Sequence, residues 1–495
     1  MHLPMLAEMA ADASPDRTAL VTASGEALSY ADLVERARRV AALVERYDVR
    51  HVALLDENSP AVPVLLFGSA LAGCAFVPLN YRWADEALRT ALAGIAPVLV
   101  VGQDAALERV AGIPGVTPLS RETVQTAQRT EGRLTGADPD EAAVLLFTSG
   151  TSGAPKAAVL RHRHLVSYVV STVDFMAADT GEAILVSVPP YHIAGISSVL
   201  TSVFVGRRMV QLPAFTPEAW VALARRESVT HAMVVPTMLG RILDVVERDG
   251  AGLPALRHLS YGGGRMPAPV VERALALLPD TGFVNAYGLT ETSSTIAVLG
   301  PDEHRRRHKL GSVGRPLPSV EIEIRDRDGA VLPPAEMGEI WVRGDQVSGE
   351  YLTHRALTED GWFPTRDGGR LDEDGYLYVD GRADDVIVRG GENLSPGEIE
   401  ETLATHPAVA EAAVVGVPDQ EWGERPEAVV VFASGESAGE EELRDWVRVR
   451  LRSAKTPTRI HVRAELPYNE TGKLLRRVVR DDLARAATAT ETVRA

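Results

Sequence analysis

Between His51 and Val101 the sequence alternates two textures with almost nothing between them. "HVALL" reads as a short apolar strand, "PAVPVLLFGSALAGC" as a helix, "AFVPL" as a strand, "EALRTALAGI" as a helix and "PVLVV" as a strand. Short apolar runs separated by helical ones are the βαβ pattern, which predicts an open parallel sheet covered by helices. Ser29 and Asp32 supply a capping box for an amphipathic run of Leu33, Ala37, Val40, Ala41 and Val44, so a helix leads into this region. A similar alternation returns between about Ile184 and Val284. No GxGxxG follows any of these strands, which argues against the usual dinucleotide fold. With 45% hydrophobic but only 5% aromatic residues, the cores must be built mainly from Ala, Val and Leu.

At 495 residues the chain is long enough for two or more domains. From Gly311 to Tyr378 the texture changes to short strands with Gly, Pro and Asp turns, as in "SVEIEIRDRDG", "GEIWVRG" and "DEDGYLYVDG", which predicts a small β unit. After Arg382 it changes again. Ser395, Pro396 and Glu398 are N-cap, N1 and N3 residues for a helix, "AAVVGV" and "EAVVVF" read as strands, and "EEELRDWVRVRLR" as a helix; together they make a compact α+β unit. The Ala/Thr-rich tail from Ala484 reads as frayed, and "HRRRHK" at 304–309 as a solvated linker.

A net charge of −17 argues against nucleic acid or an anionic membrane as partner. No apolar run reaches transmembrane length and Met1 to Ala11 lacks a basic segment, so a cytoplasmic protein is expected. Cys74, the single cysteine, sits among apolar neighbours and reads as a small buried hydrophobe. The twelve histidines show no metal-ligand spacing, so no structural zinc is expected.

Chemistry concentrates in a few short stretches. "LLFTSGTSGAPKAAVL", 145–160, is a Gly/Ser/Thr-rich turn ending in Lys156 between apolar runs. It offers hydroxyls, backbone N–H groups and a cation to an oligophosphate. It is not a Walker loop, because Pro155 precedes the lysine and a strand, Ala157 to Leu160, follows instead of a helix. In "AYGLTET", 286–292, Glu291 suits Mg²⁺ beside substrate phosphates. "YGGG", 261–264, permits close backbone approach to a flat ring, or a positive φ. Asp367, in the Gly-rich turn "FPTRDGG", could accept both hydroxyls of a ribose. Lys473 stands at a Thr-Gly break in "LPYNETGKLLRR". Singly, each has an ordinary structural explanation: a hairpin, a helix-terminal acid, a tight loop, a surface lysine.

In this order they resemble the adenylate-forming (ANL) superfamily of acyl-CoA synthetases, luciferases and peptide-synthetase adenylation domains. The resemblance runs from "YADL" at 30 through "TSGTSGAPK", "PPYHIAGIS", "YGGGRMP" and "YGLTET" to "GYLYVDGRADDVIVRGGENLSPGEIE", "GVPDQEWGE" and "LPYNETGKLLRR". It implies an α/β fold, with two doubly wound sheets plus a β-barrel in a large AMP-binding region, 1–381, and a small mobile C-terminal domain, 382–495, carrying the catalytic lysine. By the same resemblance, Lys473 meets the substrate carboxylate and α-phosphate, and Glu291 holds Mg²⁺. Thr148, Ser149, Gly150, Thr151 and Lys156 cradle phosphates. Gly262, Gly263, Tyr287, Gly288 and Thr290 surround the nucleotide, with Asp367 and Arg382 at the ribose. His192 lines the acyl pocket, and Asp384 is the hinge. Three departures stand out: Thr365-Arg366-Asp367 replaces the usual Thr-Gly-Asp, Tyr468 stands where a basic residue is common, and Ala157 replaces a frequent Gly after the loop lysine.

The resemblance implies ATP, Mg²⁺ and CoA as reactants of an AMP-forming carboxylate:CoA ligase. Alternatives are a carrier-protein phosphopantetheine thiol or a nitrogen nucleophile as acceptor, nitrite as the activated anion, or a non-catalytic nucleotide binder. The segments around His192 lack an Asp to pair a substrate ammonium, so an α-amino acid is disfavoured. Ala286 occupies the place of the second arginine of malonate-activating relatives, leaving Arg241, with Arg265 nearby in sequence pattern, as the cations of a mainly apolar pocket. An aromatic or medium-chain monocarboxylate is therefore the expected substrate.

Overall fold

The computed structural model describes residues 1–126, 138–148, 155–382, 385, 387–389, 392–419, 421–451, 453–468 and 474–492. Ser149, Gly150, Thr151, Asp384 and Lys473 lie outside the described residues.

The predicted alternation forms two large sheets. One has six strands in the order Val116–Ser120, Val98–Gly102, His51–Leu55, Ala75–Pro78, Ala142–Thr148, Lys156–Arg161. All its pairings are parallel except the last, a hairpin. The other has nine: Arg315–Pro316, Ser294–Leu299, Gly282–Leu289, His258–Gly262, His231–Val234, Ala183–Val186, Arg208–Gln211, Thr18–Thr22, Ala27–Ser29. Strand His51–Leu55 is buried along most of its length because parallel strands are covered on both faces. The helix Ala61–Leu71, buried at every residue, and the amphipathic Tyr30–Val44 pack between the two sheets in one aliphatic core. Ser29 caps Tyr30–Val44 through the predicted box with Asp32.

The small β unit is a four-stranded antiparallel sheet, Glu321–Arg325, Gly338–Arg343, Phe363–Leu371, Leu377–Arg382. Among the described residues its edge strands do not pair to close the expected barrel. A five-stranded sheet built from residues 387–462 carries the helices Pro396–Ala404 and Glu440–Arg450 and has its own core around Ile387, Ile399, Val414 and Val430.

Three local expectations are corrected. The tail continues a helix, Arg476–Thr492. Asp367 lies in the strand Phe363–Leu371, not in a Gly-rich turn. The stretch 304–309 is anchored at both ends. His304 is buried, with Nε2 2.9 Å from the Tyr261 hydroxyl, and the buried Lys309 donates to Asp372 and Asp374 at 2.7 and 2.9 Å. Charge runs mark solvent only when no acid folds back onto them. Cys74 is buried as expected, and burial pushes its thiol up to about 11.

Candidate active site

Two of the predicted residues, Thr148 and Gly262, end strands of the two large sheets. Thr148 and Lys156 face each other across the open end of the hairpin, where the Thr148 hydroxyl donates to the Lys156 carbonyl at 3.3 Å. The strand expected after the lysine is present as Lys156–Arg161.

Strands His258–Gly262 and Gly282–Leu289 run side by side, with Gly262 opposite Ala286. A Cβ on Gly262 would lie 2.2 Å from the Ala286 carbonyl oxygen, and Gly263 has φ +79°. The positive-φ reading of the glycine run therefore holds at Gly263, while Gly262 is required by the close approach of the neighbouring strand. Gly288 is equally constrained, since a Cβ there would stand 1.9 Å from the Ser294 carbonyl oxygen.

Tyr287 leaves this strand toward Asp367. Its phenol donates to Asp367 Oδ2 at 2.7 Å, while Arg382 Nη1 lies 3.3 Å from Oδ1. Arg382 is the cross-strand partner of Asp367 and also donates to the Thr365 carbonyl at 3.1 Å. Burial first, then the Asp367 charge, pushes the Tyr287 phenol well above its usual range, so it remains a donor. A carboxylate offers about four lone-pair positions; one contact to each oxygen leaves two for diol hydroxyls. Arg366 has φ +59°, a left-handed conformation in which a side chain is costly, and this accounts for the glycine usual at that place.

Thr290–Thr292 is a single 3₁₀ turn that holds Glu291 only 8% exposed. Tyr351, which no sequence motif singled out, donates its phenol to Glu291 Oε1 at 2.5 Å. Among the described residues no three His, Cys, Asp or Glu side chains form a metal cage. One near-buried carboxylate suits a cation that takes its remaining ligands from a nucleotide's phosphates and water.

On the acyl side, His192 is the N-terminal cap of the helix Ile193–Val205, its ring centroid 4.5 Å from that of Tyr191. Tyr191 in turn meets Tyr81 edge-on at 5.5 Å. Burial, helped by Arg82, pushes His192 down to about 4, so the imidazole is neutral near pH 7. The two candidate anion-binding arginines have different partners. Arg241 is exposed and lies over the Phe215 ring at 5.5 Å, whereas Arg265 pairs with Glu401 at 2.6 Å.

Comparisons with known proteins bear on family and fold. The model of the AMP-binding enzyme family matches residues 7–352, and that of the AMP-binding enzyme C-terminal domain matches 398–473. The chain belongs to the AMP-binding enzyme family. Feruloyl-CoA synthase of an Amycolatopsis species is 35% identical to this family member over 94% of its chain and 96% of the relative's. A fatty acid–[acyl-carrier-protein] ligase of Streptomyces coeruleorubidus is 33% identical, covering 94% and 93%. O-succinylbenzoate coenzyme A synthetase (MenE) of Bacillus subtilis, solved with ATP and magnesium ion, superposes with a TM-score of 0.84 at 31% identity over 95% and 98% of the two chains. The AMP-binding fold expected from the motifs, large sheets followed by a small C-terminal unit, is the one observed.

Proposed function

We propose that this enzyme is an ATP-dependent carboxylate:CoA ligase that works through an acyl-adenylate. The observation that carries the reading is the pair of acids on one segment's neighbours: Asp367 held by Tyr287 and Arg382, and Glu291 held by Tyr351. One suits a ribose and the other the magnesium of a triphosphate. A carboxylate oxygen of the substrate attacks the α-phosphorus, and the bond to pyrophosphate breaks. Negative charge moves onto the leaving pyrophosphate, where Lys156 and the hydroxyls of Thr148, Ser149 and Thr151 receive it, Gly150 keeping the backbone close. Lys473 steadies the α-phosphoryl oxygens. Gly262, Gly263 and Gly288 let the adenine lie against backbone, beside Tyr287 and Thr290. In the second step the CoA sulfur attacks the acyl carbon and AMP leaves. We assign residues 1–381 to the AMP-binding domain and 382–495 to a small domain that rotates about Asp384 between the steps. No helix among the described residues is long and apolar enough to cross a membrane. The cytoplasm, where ATP and CoA are, is the location we assign.

For the acid, we favour an aryl or medium-chain monocarboxylate. With Ala286 in place of an arginine and Arg265 committed to Glu401, a second carboxylate would be desolvated without a bidentate partner. The neutral His192 suits an uncharged chain. Feruloyl-CoA synthase, named for an aromatic acid with one carboxyl group, supports this choice; MenE, named for an aromatic acid with two, supports the aryl part alone. Coenzyme A is the favoured acceptor; a carrier-protein thiol is the second reading, favoured by the Streptomyces ligase. The test is pyrophosphate release across a panel of acids, with and without CoA. Benzoate-like or medium-chain acids should outpace malonate and succinate, with CoA consumed in equal amount. Faster turnover of malonate would establish Arg241 as an anion site, and activity with nitrite alone would replace the acyl reading altogether.

A further inference from the structure

Five carboxylates are buried among the described residues: Asp56, Glu291, Asp367, Asp380 and Glu427. Four of them have a cationic partner: Arg121 at Asp56, Arg382 at Asp367, Arg370 at Asp380, and Arg425 at Glu427. Glu291 has none among the described residues and receives a neutral phenol instead. A buried carboxylate without a cation is costly unless one arrives with a ligand.

The segment that brings the phenol is itself fixed on two sides. The Ser348 and Gly349 amides donate to the Glu291 carbonyl at 2.8 and 3.1 Å. Along its other edge the segment pairs with the strand that begins at Lys156. The Val159 amide donates to the Glu350 carbonyl at 2.8 Å, the Leu352 amide to the Ala157 carbonyl at 3.0 Å, and the Ser348 hydroxyl to the Val159 carbonyl. Arg161 clamps Glu350 with two hydrogen bonds, of 2.8 and 2.5 Å. The Tyr351 ring then stacks on His354 at 4.8 Å, so the hydroxyl meets Glu291 from a fixed direction.

We propose that Tyr351 is the positioning residue for Glu291: its hydroxyl holds one carboxylate oxygen so that the other faces the divalent cation that arrives with ATP. The inference rests on the reading of Glu291 as the magnesium ligand. An arginine in the same place would neutralise the carboxylate, whereas a phenol orders the side chain and leaves its charge for the metal. The strap also makes Glu291 and Lys156 parts of one rigid frame, so cation and phosphates are received at a fixed separation.

Tyr351→Phe keeps the ring and its stacking and removes only the hydroxyl. Mn²⁺ binding, followed by electron paramagnetic resonance with a non-hydrolysable ATP analogue, should weaken about tenfold, the weight of one hydrogen bond to a charged group. AMP affinity, which needs no metal, should stay unchanged, and the unfolding midpoint will report any general loss of packing. Unchanged Mn²⁺ affinity overturns the proposal. Tighter binding does too, because the phenol would then be competing for the oxygen the cation needs. Glu291→Gln separates the two layers: if it binds Mn²⁺ as well as the unaltered enzyme, Glu291 is not the metal ligand and the role of Tyr351 falls with it.

Discussion

Arg265, on the loop after the strand His258–Gly262, reaches Glu401 on the helix Pro396–Ala404, Nη2 to Oε2 2.6 Å. Gly397 provides the seat, since a Cβ there would lie 2.2 Å from Arg265 Nη1. The side chains are 39% and 44% exposed, so the pair adds less than about 1 kcal/mol to stability. Its effect should fall on the orientation of the small unit. Arg265→Glu is expected to change the ratio of adenylation to thioester formation by about threefold or more, and Glu401→Arg added to it should restore the ratio. Equal half-reaction ratios in the single and double variants would refute a latch. The proposed preference for monocarboxylates over malonate should not move in either.

Lys473→Ala should cripple adenylation far more than thioester formation from supplied acyl-AMP, because the lysine is assigned to the α-phosphoryl oxygens under attack in the first step and is carried away by the proposed rotation before the second. Asp384→Pro should do the opposite, since proline fixes φ at the position proposed as the hinge. Single-turnover assays of each half-reaction check both. Parallel losses in the two steps would remove the division of labour assigned to these residues.

Arg366→Gly should stabilise the fold. The left-handed backbone at φ +59° costs an arginine about 1–2 kcal/mol, and the extra chain entropy of glycine takes back about 0.5–1 kcal/mol. A net gain of roughly 0.5–1 kcal/mol should appear as a higher midpoint in urea. A lower midpoint would mean that the guanidinium makes a contact worth more than the strain.

Acid should weaken the protein before its carboxylates titrate. His162 and His164 are buried, and burial is the main cause that pushes each down to about 4. His162 Nδ1 accepts from the Leu3 amide at 3.3 Å, a role only the neutral ring can fill. In the unfolded chain both rings titrate near pH ~6.5. From there down to about 4 the unfolded chain binds protons that the folded one refuses, so stability falls with pH by up to ~1.4 kcal/mol per unit for each ring. Urea titrations at several pH values should show that slope, and His164→Gln should reduce it. A flat profile between pH ~7 and ~5 would place these rings in contact with solvent.

The local backbone of the candidate site was legible because its signals are local. The paired strands ending at Thr148 and starting at Lys156, the turn at Glu291 and the positive φ of Gly263 are each set by a few adjacent residues. Tyr351 was not legible. It lies in "SGEYL", a stretch without periodicity or a turn signature, and nothing within it points to Glu291.

The sequence by itself determined the strand–helix alternation, the capping boxes and the order of the chemical motifs, since periodicity and capping depend on residues within a turn or two of one another. Tertiary structure alone decided the partners. Tyr351 meets Glu291 across 60 residues, Tyr287 meets Asp367 across 80, and Arg265 meets Glu401 across 136. Lys309 is buried only because Asp372 and Asp374 fold over it. Such contacts depend on how separate sheets are stacked, and a side chain's own neighbours in sequence carry no record of which carboxylate will be brought to it.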